Sequence, residues 1–192
     1  MSEKEASAAQ DIELMLAFQR GEQQCFTDLF HKHKTSVINF AYRFTGRRDI
    51  AEELAQDIFV KCAMAAESYR PTAKFTTWLF RIARNHCLNE VRRQDYKVHT
   101  EPMAEAREPR ESLTPESQTA ATRLQRTMEQ GLADLSAAQR EALILSRFHA
   151  MSYEDIAQTM ETTVSSVKSL INRAKRQLVK HLAPHLESCH EM

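Results

Sequence analysis

Trp78, Arg81, Asn85 and Arg92 follow one another at spacings of three, four and seven residues, so on a helix they line one face. An indole beside guanidinium and amide groups can stack an unpaired base, read its edge and hold its phosphates. Towards the other end of the chain, Ser165, Ser169, Asn172, Arg173, Arg176 and Lys180 share one face of a second helix, with Lys168 and Lys175 flanking it. Arg pairs with guanine, Asn with adenine and Ser with either, so this set suits the edges of paired bases. His181, His185, Cys189 and His190 have helical spacings that could suit a metal, although a tail of this composition is more often simply solvated. The sequence offers no nucleophile–base pair, phosphate loop or plausible carboxylate pair. It therefore points away from an enzyme, and neither a cofactor nor a metal is expected.

Each face also has a plainer reading. Trp78 could be mostly core and its arginines solvated, and on the stripe alone that reading stays open. For the second face the surroundings favour duplex DNA. Ser152-Tyr153-Glu154-Asp155 resembles a capping box that opens a short helix with Ile156, Ala157 and Met160 as its apolar stripe. Glu161-Thr162-Thr163 makes a turn, and a longer helix starts near Val164. Val164, Val167, Ile171, Ala174 and Leu178 give that helix a packing side, and no acidic residue falls between Val164 and His181. In such a helix-turn-helix, early positions of the second helix meet bases and later basic ones the backbone. A second basic segment, Ser68 to Gln94, carries Arg70, Lys74, Arg81, Arg84, Arg92 and Arg93 against a single Glu90. Two basic segments in a chain of zero formal net charge suggest two separate contacts with polyanions.

The elements that must position these residues are helical. The 192 residues are rich in Ala, Leu, Glu, Gln and Arg and hold only three glycines, too few for a sheet with tight turns. An all-α fold of two small domains is expected. Residues 11–96 form one block, with apolar spacing broken at Gly21, near Gly46 and at Arg70-Pro71-Thr72, which makes roughly four helices. Within it a helix from about Asp49 to Glu67 sets Glu52, Glu53, Gln56 and Asp57 opposite Leu54, Ile58 and Cys62. Such an acidic-amide face would repel phosphate; it suits a protein with a basic surface or plain solvent. The helix from about Thr76 to Arg93 packs through Leu79, Ala83, Cys87 and Val91. Residues 97–118, interrupted by Pro102, Pro109 and Pro115 and rich in Glu, read as a flexible acidic linker. Residues 119–183 form the second helical domain and 184–192 a tail.

Cys25, Cys62, Cys87 and Cys189 show no CxxC spacing, and no apolar run is long enough for a signal segment or a membrane span. A cytoplasmic protein with reduced thiols and no membrane insertion is expected. Cys25 or Cys189 could sense oxidants, but a spectator thiol is the plainer reading.

Taken together these segments resemble the extracytoplasmic-function group of the sigma-70 family. Asp49-Ile-Ala-Glu-Glu-Leu-Ala-Gln-Asp-Ile-Phe-Val-Lys61 is similar to region 2.2, and Phe75-Thr-Thr-Trp-Leu-Phe-Arg-Ile-Ala-Arg-Asn85 to regions 2.3 and 2.4. Leu135-Ser-Ala-Ala-Gln-Arg-Glu-Ala-Leu143, Met151-Ser-Tyr-Glu-Asp-Ile-Ala157 and Val167-Lys-Ser-Leu-Ile-Asn-Arg-Ala-Lys175 are similar to region 4. The resemblance implies a four-helix region 2 bundle and a region 4 helix-turn-helix. It implies core RNA polymerase as partner, through its β′ clamp helices and β flap, together with promoter DNA and an anti-sigma factor. By the same resemblance Asp49, Glu53, Gln56 and Asp57 would meet polymerase. Lys61, Tyr69, Arg70, Trp78, Arg81 and Asn85 would capture a flipped base of the −10 element. Ser165, Lys168, Ser169, Asn172, Arg173 and Arg176 would face the −35 element, and the acidic linker would thread towards the RNA exit path. The family often carries Gly where Glu161 stands, and a basic residue after Lys168-Ser169, where this chain has Leu170. A stand-alone dimeric regulator using the same helix-turn-helix is the alternative.

Overall fold

A computed structural model describes residues 3–100 and 120–187, with the side chains of residues 5–94 and 125–183. Among these residues there are eight α-helices and no strand. The first domain comprises α1 (Glu3–Gln19), α2 (Gln23–Thr45), α3 (Ala51–Met64), a single 3-10 turn at Ala66–Ser68 and α4 (Phe75–Thr100). The second comprises α5 (Ala120–Ala133), α6 (Ala137–Phe148), α7 (Tyr153–Thr159) and α8 (Val164–Glu187). Breaks fall where the sequence places them. Gly46 takes φ +73° after α2 and its N–H donates to the Tyr42 carbonyl at 2.7 Å, closing the helix with the left-handed residue that glycine tolerates best. Helix α4 runs on through Thr100, so residues 97–100 of the expected linker are helical; residues 101–118 lie outside the described residues.

The buried stripes follow helical spacing. Leu29, Val37, Phe40, Ala41 and Phe44 of α2 pack on Leu54, Ile58 and Cys62 of α3 and on Leu79, Ala83 and Cys87 of α4. In the second domain α5 crosses α8 closely at Gly131: a Cβ there would lie 2.7 Å from Leu178 Cδ2. Ser136 opens α6 with a complete capping box, its hydroxyl accepting from Gln139 N and the Gln139 side chain accepting from Ser136 N.

The two domains share a core. His149, just past α6, lies between the rings of Phe40 and Phe80, with centroid separations of 5.9 and 4.4 Å. Burial pushes its imidazole down to about 4, with Arg43 adding to the shift, so the ring is neutral near pH 7. Arg140 donates to the Phe44 carbonyl at the end of α2 (2.6 Å) and to the Ala133 and Leu135 carbonyls at the end of α5 (2.8 and 3.2 Å). Arg84 Nε stands 2.8 Å from Glu141 Oε1, with side-chain exposures of 21% and 1%. Burial pushes the Glu141 carboxyl up to about 7 against the pull of Arg84. Lys74 Nζ pairs with Asp155 Oδ2 at 2.7 Å further along the seam.

A carboxyl as buried as Glu141 depends on its one cationic neighbour. Arg84→Met should therefore destabilise the docked chain by about 3 kcal/mol above pH 7, where the carboxyl must ionise or stay protonated at a cost, and by less below it, and adding Glu141→Leu should restore most of that loss. Urea unfolding of the full chain and of the two variants checks both outcomes.

Candidate nucleic-acid and polymerase interfaces

Helix α8 presents its polar face as the sequence arranges it. Val167, Ile171, Ala174 and Leu178 are buried, whereas Ser165, Lys168, Ser169, Asn172, Arg173 and Arg176 are all exposed. The helix in front is set by Ser152, whose hydroxyl accepts from Asp155 N at 3.1 Å. Asp155 does more than cap. Its carboxylate also takes the Ser152 hydroxyl at 2.8 Å and Lys74 at 2.7 Å, and hydrogen bonds from those two groups hold it below the usual carboxylate range despite burial. The turn into α8 runs through Glu161 at φ +53°. Thr162 N donates to the Ala157 carbonyl at 2.9 Å and the Thr163 hydroxyl accepts from Ser166 N at 3.1 Å, so the turn closes with a glutamate in a left-handed conformation.

On α4, Arg81 and Asn85 are exposed and Trp78 is half-buried. Trp78 contributes to both the readings open from sequence: one edge of the indole meets Tyr69 (5.2 Å, 69° between planes) and Phe75 (5.9 Å), and the remainder reaches the surface. Tyr69 itself is only 1% exposed. Its ring backs Trp78 from inside and is not part of the outer face; Lys61 and Arg70 are exposed. Arg70 folds back, donating to the Glu67 and Tyr69 carbonyls at 2.8 and 2.9 Å. Of the other basic residues in this segment, Lys74 and Arg84 turn to the second domain and Arg93 to Glu90. Sequence periodicity places these residues on a face but carries no sign of which face a second domain covers.

Helix α3 exposes Glu52, Glu53, Gln56 and Asp57, with Val60 and Met64 (57% and 81% exposed) at the C-terminal end of the same helix. Asp49, just ahead of it, is exposed and paired with Arg47, which holds its carboxyl below the usual range. His86 Nε2 approaches Asp57 at 3.3 Å, tying the acidic face of α3 to α4. In the second domain an open apolar hollow of about 480 Å³ is lined by Met128, Leu143, Phe148, Leu178, Val179 and Leu182, with Arg147 and Lys175 on its border.

No group of three His, Cys, Asp or Glu among the described residues could hold a metal; His181 instead stands 3.3 Å from Asp134, and His185, Cys189 and His190 fall outside the described side chains. Burial pushes the Cys62 and Cys87 thiols up to about 12, and Cys25 is raised by desolvation and by Glu22 and Asp28, so none of the three is a ready thiolate. Among the described residues no helix is long and apolar enough to cross a membrane.

Left-handed backbone strains any residue with a Cβ. Glu161→Gly should raise stability by about 0.5–1 kcal/mol, the relief of that strain less glycine's extra entropy. A higher melting temperature with unchanged DNA affinity is the expected result.

Comparison with known proteins matches both domains. Residues 29–96 fit the model of sigma-70 region 2 and residues 125–178 that of sigma-70 region 4. The chain is 33% identical over 185 residues to the RNA polymerase sigma-H factor of Pseudomonas aeruginosa, covering 92% of this chain and 96% of that protein. It is 30% identical over 182 residues to the ECF RNA polymerase sigma-E factor of Haemophilus influenzae, covering 91% and 96%. Among solved structures, CnrH in complex with the cytosolic domain of CnrY shares the fold (TM-score 0.71, 23% identity, 91% of this chain and 98% of that one). The sigma factor RpoE in complex with the anti-sigma factor NepR from Bartonella quintana aligns with TM-score 0.65 and 26% identity over 82% of this chain and 96% of that one. Two region models in order, with relatives matched along nearly their full length, place this chain in the extracytoplasmic-function group of the sigma-70 family of RNA polymerase sigma factors.

Proposed function

We propose that this chain docks on core RNA polymerase, reads a −35 element with α8 and holds the melted −10 strand against α4. One observation carries the reading: a single chain of a sigma family exposes both an acid-free DNA-reading face on α8 and an Arg81–Asn85 face beside a half-buried tryptophan. The first suits paired bases and the second an unpaired one. Asp49, Glu53, Gln56 and Asp57, all exposed on or just before α3, supply the acidic surface for the polymerase β′ clamp helices. The apolar hollow of the second domain suits the β flap. Unpairing of the −10 strand is stabilised by stacking and by contacts to the extruded base, with no nucleotide hydrolysis and no catalytic residue.

The functional units of this reading are residues 11–96 and 119–183, corresponding to helices α1–α4 and α5–α8, with the acidic stretch 97–118 between them. The sigma factor RpoE is held by an anti-sigma factor in its solved complex. By that likeness this chain is regulated in the same manner, in the cytoplasm, by a partner that covers its polymerase-binding surfaces.

Run-off transcription by purified core polymerase on pooled genomic fragments, with and without this chain, tests the reading. New starts sharing two spaced upstream elements establish it and supply the promoter. No new starts, with DNA binding by the chain alone, would make it a stand-alone regulator. On the promoter so found, Asn85→Ala should leave core binding and −35 duplex binding intact and impair opening; normal opening by that variant refutes the role given to Asn85. Arg176→Ala should weaken duplex binding about equally across sequences and lower the slope of log affinity against log salt by about 1, as for the loss of one phosphate contact.

A further inference from the structure

Helix α1 lies ahead of the residues matched by the region 2 model, yet it controls the backbone beside Trp78. Its last residue, Gln19, donates from one amide nitrogen to the Ala66 carbonyl at 2.6 Å and to the Tyr69 carbonyl at 3.1 Å. These two carbonyls bracket the 3-10 turn, which is further closed by Tyr69 N donating to the Ala66 carbonyl at 3.0 Å. Gln19 from α1 thus joins Arg70, which also donates to the Tyr69 carbonyl, in fixing where Tyr69 leaves the turn, and it alone of the two spans both ends of the turn from another helix. From there the Tyr69 ring runs inward to meet Trp78 and Phe75 edge-on, at 5.2 and 6.2 Å. Phase and tilt of the indole are set by that contact on its inner side.

The same helix braces the aromatic group from below. Asp11, 2% exposed, accepts from Lys32 at 2.5 Å and is 2.9 Å from His33 Nε2. The His33 ring lies 5.5 Å from that of Phe75. Helix α1 is therefore tied at its middle to α2 and, at its end, to the turn that carries Tyr69. The Tyr69 hydroxyl is buried with no hydrogen-bond partner among the described residues. Its position depends on packing and on the backbone that Gln19 grips.

We propose that Gln19 is a positioning residue for single-strand capture: by fixing residues 66–70 against Trp78, it sets the affinity and base preference of the pocket formed with Asn85. The inference rests on the reading of the Trp78–Asn85 face as the −10 site. Gln19 does not touch DNA; it acts through Tyr69 and the indole.

The test uses the full chain bound to core polymerase, and a promoter duplex carrying a premelted bubble over the −10 element found by run-off transcription. Gln19→Glu keeps the shape and removes the donor. It should bind the bubble about tenfold more weakly, because a turn no longer held in the free chain must be ordered on binding, and should discriminate less between bases at the captured position. Affinity for core polymerase and for the −35 duplex should not change. Gln19→Lys, which keeps a donor of similar reach, should recover most of both properties. Wild-type bubble affinity and base preference in Gln19→Glu, with a loss in Asn85→Ala, would overturn the positioning role and leave the −10 reading standing. Wild-type behaviour in both variants would overturn the two together. Equal loss of core, duplex and bubble binding with no recovery in Gln19→Lys would reduce Gln19 to a plain structural residue.

Discussion

A carboxylate cannot be taken out of water alone, and Glu141 has been taken out almost completely. The structure meets that constraint by bringing Arg84 of α4 to within 2.8 Å from the other domain. Much else along the seam follows from the same alignment of α4 with the second domain. Once α4 lies against α7 and α2 against α6, Lys74 reaches Asp155, His149 fits between Phe40 and Phe80, and Arg140 reaches the end of α2. Buried pairs of this kind add little net stability, because desolvation offsets most of the attraction; they penalise wrong arrangements more than they reward the right one. The seam is specific for that reason, and the phenylalanines supply its apolar contribution.

Helix α4 serves three environments at once, and its sequence divides accordingly. Leu79, Ala83 and Cys87 face the first-domain core, Phe80 and Arg84 face the second domain, and Arg81 and Asn85 remain outside. Successive residues turn by about 100°, so Arg84 reaches Glu141 while Asn85 stays exposed, and the Arg84 guanidinium bridges the two by also donating to Asn85 Oδ1 at 3.1 Å. A basic segment that looks uniform in sequence is therefore two sets of cations. Lys74 and Arg84 are matched by carboxylates of the same chain, while Arg81 and Arg92 stay exposed.

Much of this was legible in the sequence where one periodicity or one residue type decides the outcome. Gly46 marks the end of α2 because a left-handed cap favours glycine, and the split of α8 into Val167–Ile171–Ala174 and Lys168–Asn172–Arg176 needs only helical geometry. Long-range pairing was not legible. Tyr69, which the resemblance groups with the base-capturing residues, is core, because the turn before α4 directs it inward. Gln19 carries no local signal at all: an amide at a helix end becomes informative only when carbonyls 47 and 50 residues further on are brought to it. Asp11 left a faint one, an acid four residues from the fully buried Met15 on the same stripe. Glu161 shows the converse case, a left-handed turn formed without the residue type that normally advertises it.

Zero net charge acquires a physical meaning once the charges are placed. Beyond about 8–10 Å salt screens exposed charges, so a partner responds to the local face and not to the sum. The acidic α3 face and the basic α8 face lie on different domains and can present opposite potentials to different partners. Where opposite charges come closer they are used internally, as in Arg47 with Asp49 and Arg93 with Glu90. Balance also limits the seam. Its charged residues would be well solvated if the domains parted, since Lys74, Arg84, Asp155 and Glu141 all regain water, but the Phe40–His149–Phe80 contact and the shared core that includes Ile144, Leu145 and Ile156 would be exposed. An interface made this way holds one arrangement, its charges selecting the alignment and its shared apolar core resisting separation.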